Sequence, residues 1–342
     1  MKIEFGIFDH MDRGGFALGE LYKNRLKLVE AYDQAGFYAY HLAEHHATSL
    51  GMSPSPSVFL SAVAQRTEKL RFGPMVYVLP LHDPLRLIEE ICMLDQLSGG
   101  RFELGVGRGS SPYEIAYFGV NHLTARGQFK EALEIILSGL KGGPLSYEGR
   151  HYQYVEVPMV LSCVQKPHPP LWYGLVRPEG AIWAAQNRVN VLVNGPVPRV
   201  KPLTDRYRQE WKAAHGGEPV TKMGLSRHIY IADTDAEAHE TAKRAYENWF
   251  KSNDELWRAF GAESLHFPST YEAAIERGQL ICGSPDSVRA RVQKDMADSG
   301  ANYLVCRVAF GDLTLERVLR SVALLRDEVM SAFRDAKQQA AE

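Results

Sequence analysis

The chain's 342 residues, 45% hydrophobic and 23% charged, match ordinary globular proteins and can bury a large core without disulfide or metal staples. A formal net charge of −2 and the lack of any long run of like charge argue against a nucleic-acid or membrane surface. The four cysteines, Cys92, Cys163, Cys282 and Cys306, are far apart and form no CxxC pair, so they read as buried thiols in a reducing compartment.

The chain begins MKIEFGIFDH, a strand pattern with no apolar stretch long enough for a signal peptide, and no later segment could span a bilayer. A cytoplasmic address is expected. In chain order, apolar runs then fall at Ile3–Phe8, Tyr38–Leu42, Leu70–Leu79, Phe102–Val106, Leu171–Val176, Val189–Val193, Met223–Ile231 and Tyr303–Val308. Their near-continuous apolarity fits parallel strands covered on both faces. The segments between them carry helical spacing. Leu87, Ile91 and Leu94 share one helix face, as do Phe129, Leu133, Ile136, Leu137 and Leu140, and Leu315, Val318, Leu319 and Val322. Gly36, Gly99-Gly100, Gly142-Gly143-Pro144 and Gly300 stand where helices should stop.

Eight strands alternating with helices predict an α/β fold, a (β/α)8 TIM barrel, as one domain over residues 1–342. No Gly-x-Gly-x-x-Gly opens the first helix, which weakens a Rossmann reading. A minimal barrel needs about 250 residues. The surplus falls in two insertions, about 141–170, read as a hairpin excursion, and about 251–282, read as an active-site lid. The tail after Arg334, DAKQQAAE, reads as a frayed helix end.

Barrel chemistry collects at the C-terminal ends of the strands. There the sequence shows Asp9-His10, Glu44-His45-His46, Gly73-Pro74-Met75-Val76, Gly107-Arg108-Gly109, Gly174-Leu175-Val176-Arg177, Asn194-Gly195-Pro196 and Arg307. Two histidines after a glutamate could bind a metal, act as a general base or cap the barrel mouth. A metal would need more ligands, which Asp9, His10 and Asp12 could supply, although Asp-His-Met-Asp is not the His-x-His of amidohydrolase-type barrels. Arg108 between two glycines suits an anion: the backbone comes close and the guanidinium grips a phosphate in bidentate fashion. Arg126 can add a second charge, and the helix start at Arg177-Pro178-Glu179-Gly180 offers free N–H groups. Together these suggest a phosphorylated cofactor. Ser284-Pro285, in the other place where barrels bind phosphate, reads as a plain helix start.

Three stretches carry a family resemblance: Leu42-Ala43-Glu44-His45-His46, Val78-Leu79-Pro80 and Leu94-Asp95-Gln96-Leu97-Ser98-Gly99-Gly100-Arg101-Phe102. The last runs on into Gly105-Val106-Gly107-Arg108-Gly109, Phe118-Gly119 and Arg126. In that order they resemble the bacterial luciferase-like flavin-dependent monooxygenases, such as the alkanal monooxygenase α chain and its FMN-dependent relatives.

The resemblance implies His45 as acid/base, with Glu44 and His46 as its catalytic neighbours. It implies FMN held by Met75, Val76, Gly107, Arg108, Arg126, Val176, Arg177 and Gly180. It also implies a cis Met75–Val76 peptide against the flavin ring. The family's serine and threonine are missing from Val176–Gly180, where Arg177 can substitute. Gly107 stands where luciferase itself has a reactive cysteine, which argues against light emission.

By the same resemblance, reduced FMN from a separate NAD(P)H:flavin reductase reacts with O2 to a flavin 4a-hydroperoxide, which oxygenates a small hydrophobic organic substrate. A homodimer without metal, nucleic acid or membrane partners is expected. The apolar residues Phe8, Tyr77, Tyr113 and Trp172 are candidate pocket walls. The rival readings are a deazaflavin-dependent dehydrogenase or reductase on the same fold, a non-catalytic flavin-binding protein, and a metal-dependent hydrolase using Asp9, His10, His45 and His46.

Overall fold

The structure is a computed structural model that describes residues 3–262 and 267–333. The tail read as a frayed helix end lies outside the described residues.

The elements run β1 (Glu4–Asp9), α1 (Leu18–Ala35), β2 (Ala39–Leu42), α2 (Pro56–Arg66), β3 (Arg71–Pro74), β4 (Tyr77–Val78), α3 (Pro84–Leu97) and β5 (Leu104–Gly107). Next come α4 (Pro112–Tyr117), α5 (Ala125–Gly139), β6 (Leu145–Glu148), β7 (Gln153–Val157), β8 (Leu171–Gly174), α6 (Pro178–Gln186), β9 (Asn190–Val193) and α7 (Val197–His215). The chain finishes with β10 (Met223–Ile231), α8 (Asp235–Ala259), α9 (Tyr271–Glu276), β11 (Leu280–Gly283), α10 (Pro285–Ser299), β12 (Tyr303–Arg307) and α11 (Leu315–Leu324).

The parallel sheet runs β3-β2-β1-β12-β10-β9-β8-β5-β4. Its two ends belong to one interrupted strand: β3 pairs with β2, and β4, two residues later, pairs with β5. A bridge from Phe72 to Phe102 draws the ends together, so the sheet is a nearly closed barrel with eight positions. At this seam the backbones nearly touch. A Cβ on Gly73 would lie 1.9 Å from the Glu103 carbonyl oxygen, so only glycine fits.

Strand residues alternate between two apolar layers. On β12, Tyr303 and Val305 face the barrel interior with Phe8, Ala43, Met75, Trp172 and Leu192. Leu304 and Cys306 face the helices. The N-terminal end of the barrel is floored by Glu103, which accepts hydrogen bonds from Tyr38 Oη at 2.6 Å, from Arg71 Nε and from Trp172 Nε1. Above it His41 Nε2 meets Tyr303 Oη at 3.0 Å.

Helix ends follow the expected chemistry. Gly36 and Gly300 close α1 and α10 in the left-handed region, at φ 77° and 70°. Ser284 and Pro285 open α10, although the Ser284 side chain makes no capping bond.

One expectation about the elements is corrected, and one segment proves more regular than its pattern suggests. The apolar run Leu70–Leu79 is two strands, because it leaves one neighbour for the other at Met75–Val76. Segment 251–282, read as an active-site lid, is largely regular among its described residues. It holds the last turns of α8, then α9, then most of β11, which pairs with the outer half of β10. A strand of four residues with a single partner is too short to stand out in a sequence. Segment 141–170 contains the antiparallel hairpin β6–β7.

Candidate active site at the barrel mouth

The loop after β2 carries Glu44-His45-His46, and each side chain has a partner from another loop. His45 Nδ1 lies 3.0 Å from Glu114 Oε1, and the His46 N–H donates to the same oxygen at 2.9 Å. Glu114 sits on the short helix α4, whose cap Ser111 accepts from the Glu114 N–H. Both side chains are largely shielded, 20% exposed for His45 and 8% for Glu114. Burial alone would push the imidazole down, but the carboxylate beside it outweighs burial and holds His45 above its ordinary value. Glu114 mirrors this: burial would raise it, and His45 with the His46 amide holds it low. With Nδ1 engaged, Nε2 makes no hydrogen bond among the described residues.

Glu44 is the anchor of the same loop. Its carboxylate accepts from His46 Nε2 at 2.9 Å, from His82 Nε2 at 3.0 Å and from the Val78 N–H at 2.9 Å. Burial opposes its charge, yet these partners hold the carboxyl below its usual range. Glu44 is therefore turned away from His45 and toward His46, His82 and β4. The Phe118 ring packs edge-on to His46 at 4.6 Å. The His10 ring lies tilted against that of His45, with 5.8 Å between their centres.

The last turns of α8 rest against this loop. Ser49 N–H donates to Glu255 at 3.0 Å, and Phe260 stacks on Tyr113 of α4 at 4.0 Å.

The Met75–Val76 peptide is cis, as expected. Met75 belongs to the interior cluster, with Val76 packed against it. Gly107 lies under Val76: a Cβ there would meet Val76 Cγ2 at 2.3 Å. Beyond it the loops after β5 and β8 are neighbours, since Val106 pairs with Tyr173. Arg108 and Arg126 follow β5, while Val176 and Arg177 follow β8; all four are exposed. Gly180 lies in the first turn of α6, whose cap residue Arg177 makes no side-chain capping bond. Among the described residues, none of the three arginine side chains has a hydrogen-bond or carboxylate partner. The groups expected to hold a phosphate are thus free to do so.

The ligand set considered for a metal-dependent hydrolase is not assembled. Asp9 faces out of the barrel, paired with Arg25 Nε at 3.0 Å and with Tyr40 Oη at 2.9 Å. Asp12 accepts the Gly311 N–H at 2.8 Å. Among the described residues no group of three His, Cys, Asp or Glu side chains is placed to hold a metal ion.

Two residues of the site escape the sequence reading. Ser111-Pro112-Tyr113-Glu114 has the form of a capping box, which locates a helix start but not its reach to His45. His82 sits in a plain Leu-His-Asp-Pro turn and carries no signal.

The chain is thus a parallel α/β barrel that gathers, around one mouth, a histidine–carboxylate pair and arginines without partners among the described residues. A model of the family described as luciferase-like monooxygenase matches residues 3–303, and the chain belongs to that family of oxidoreductases. It is 44% identical to an uncharacterised protein, y4wF, of Sinorhizobium fredii, over 96% of this chain and 97% of that one. It is 26% identical to the oxygenase component of the flavin-dependent trigonelline monooxygenase of Acinetobacter baylyi, over 98% and 97% of the two chains. The crystal structure of the monooxygenase RslO1 of Streptomyces bottropensis superposes with a TM-score of 0.88 at 24% identity, covering 97% of this chain and all of that one.

Proposed function

We propose that the chain is the oxygenase component of a two-component flavin system. It uses reduced FMN from a separate NAD(P)H:flavin reductase, together with O2, to oxygenate a small organic substrate. One observation carries this reading: a shielded His45–Glu114 pair and three arginines without partners among the described residues lie in the segments after β2, β5 and β8, at one barrel mouth. Arg108, Arg126 and Arg177, with the first turn of α6, would hold the FMN phosphate. Met75, Val76 and Gly107 would bed the ring. When bound, reduced flavin supplies the oxygen-activating chemistry.

The chain's own groups do the rest. Glu114 fixes the ring of His45 so that Nε2 takes or gives the substrate's proton. Glu44 positions the loop through His46 and Val78. The end of α8, held by Glu255 and Phe260, covers the mouth and keeps water out. The apolar faces left by Val58 on α2 and by Met93 and Leu97 on α3 suit self-association as a homodimer. Four free buried thiols suit a reducing, cytoplasmic setting.

Titration with oxidised and reduced FMN, followed by oxygen uptake with a panel of aldehydes, ketones and ring compounds, tests the reading. Binding of FMN with substrate-dependent oxygen consumption is expected. Tight deazaflavin binding with none for FMN would overturn it.

A further inference from the structure

A second basic group stands across the mouth from Arg108. Around the barrel, β12 lies opposite β5. Arg307 ends β12 and turns inward, its guanidinium 4.6 Å from the centre of the interior Phe8 ring and 5.0 Å from that of Phe267. It is only 5% exposed. Its Nε and Nη1 have no hydrogen-bond partner among the described residues. The other buried arginines are neutralised: Arg25 by Asp9 and Arg227 by Asp295. Arg307 has no such acid among the described residues. Burial, and then Arg227, push its guanidinium down to about 9.

Two of its neighbours add further donors that are unpartnered among the described residues. His228 is the register partner of Arg307 on β10. It is fully buried, and neither ring nitrogen has a partner among the described residues. Burial and Arg307 hold that imidazole neutral, so it keeps one N–H to donate. The Trp249 ring of α8 lies 4.3 Å from His228, and its indole N–H is equally unpartnered. Buried polar groups are nearly always satisfied, so three adjacent donors without an acceptor call for an anion.

We propose that Arg307, His228 and Trp249 form an anion subsite that selects a substrate bearing a carboxylate on an apolar, ring-sized body. This rests on reading the mouth as the oxygenase site. The subsite is buried among aromatic rings, which suits a monoanion with an apolar body better than a solvated phosphate dianion. His10 links it to the chemistry: its ring centre is 5.6 Å from Trp249 and 5.8 Å from His45. A carboxylate gripped by Arg307 therefore sets the substrate's body beside His45.

Calorimetric titration of the FMN-loaded chain with benzoate, benzamide and inorganic phosphate tests this, repeated on the FMN-free chain. Benzoate should bind at least ~10-fold more tightly than benzamide, and phosphate should not compete with it. Arg307→Met should lose that preference, keep its FMN affinity and melt at a higher temperature than the parent without benzoate, because it removes a buried unpaired cation. Arg307→Lys, with the charge but not the fork, should fall between. Equal affinity for benzoate and benzamide would overturn the subsite. So would benzoate binding unchanged in Arg307→Met, a lower melting temperature for that variant, or loss of FMN affinity in place of benzoate affinity. Benzoate preference in a chain that binds no FMN would support the subsite and overturn only the oxygenase reading.

Discussion

Replacing Glu114 by Gln removes one charge and almost nothing else. Glutamine keeps the length of the side chain and an oxygen to accept the His46 N–H, now 2.9 Å away. What it loses is the carboxylate 3.0 Å from His45 Nδ1. A hydrogen bond to a charged group contributes about 1.5–3 kcal/mol, and these two side chains, 20% and 8% exposed, are little screened by solvent. At about 1.4 kcal/mol per factor of ten, kcat/KM should fall about 10–100-fold.

The direction of titration follows too. Glu114 raises His45 against burial, so without the charge burial prevails and the ring titrates at lower pH. The linked stability has a definite sign. A histidine raised in the folded state stabilises fully below its unfolded pKa, near 6.5, and loses that contribution as pH rises through the folded value. Glu114→Gln should therefore lose stability mainly on the acid side of neutrality. Histidine-selective NMR titration, urea denaturation at several pH values and the pH profile of oxygen uptake read all three effects. A His45 titration identical to the parent's, with kcat/KM within about twofold, would refute the role of Glu114.

Three further outcomes are expected. Arg108→Gln should weaken FMN binding about 10–100-fold and leave riboflavin, which lacks the phosphate, unchanged in a fluorescence titration. Gly107→Ala places a Cβ 2.3 Å from Val76 Cγ2, an overpacking that should cost about 1–3 kcal/mol in denaturant unfolding and also weaken FMN. Asp12 is raised by burial to about 7, so the folded state keeps a proton that the unfolded chain releases near pH 4. Stability should therefore fall as pH rises between those values, by at most about 1.4 kcal/mol per pH unit, and Asp12→Asn should flatten that slope.

The barrel was legible because burial on both faces writes itself into sequence as unbroken apolar runs. Met223–Ile231, buried at every residue, is the clearest case. The hydrophobic pattern hides what depends on pairing. Nothing in Leu70–Leu79 marks the point where the chain passes from β2 to β5, and β11 borrows its place from β10. At the site, Glu44, His45 and His46 were visible as a cluster, but their division of labour was not. Glu44 turns to His82 and Val78, while the partner of His45 comes from α4, 69 residues on. Such a pairing is a tertiary fact with no local period. Arg307 is legible as a strand-end residue, but its lack of an acidic partner among the described residues is a property of the packing around it, not of its sequence neighbours.

The Glu103 floor has a consequence for the order of events. With Tyr38, Arg71 and Trp172 tied to one carboxylate and Tyr303 packed above them, the barrel interior is plugged at its N-terminal end. On the proposed function, every reactant would then enter and leave by the opposite mouth. Whichever occupant lay deeper would arrive first and depart last, a compulsory order that steady-state inhibition by the product would reveal as a queue at a single entrance.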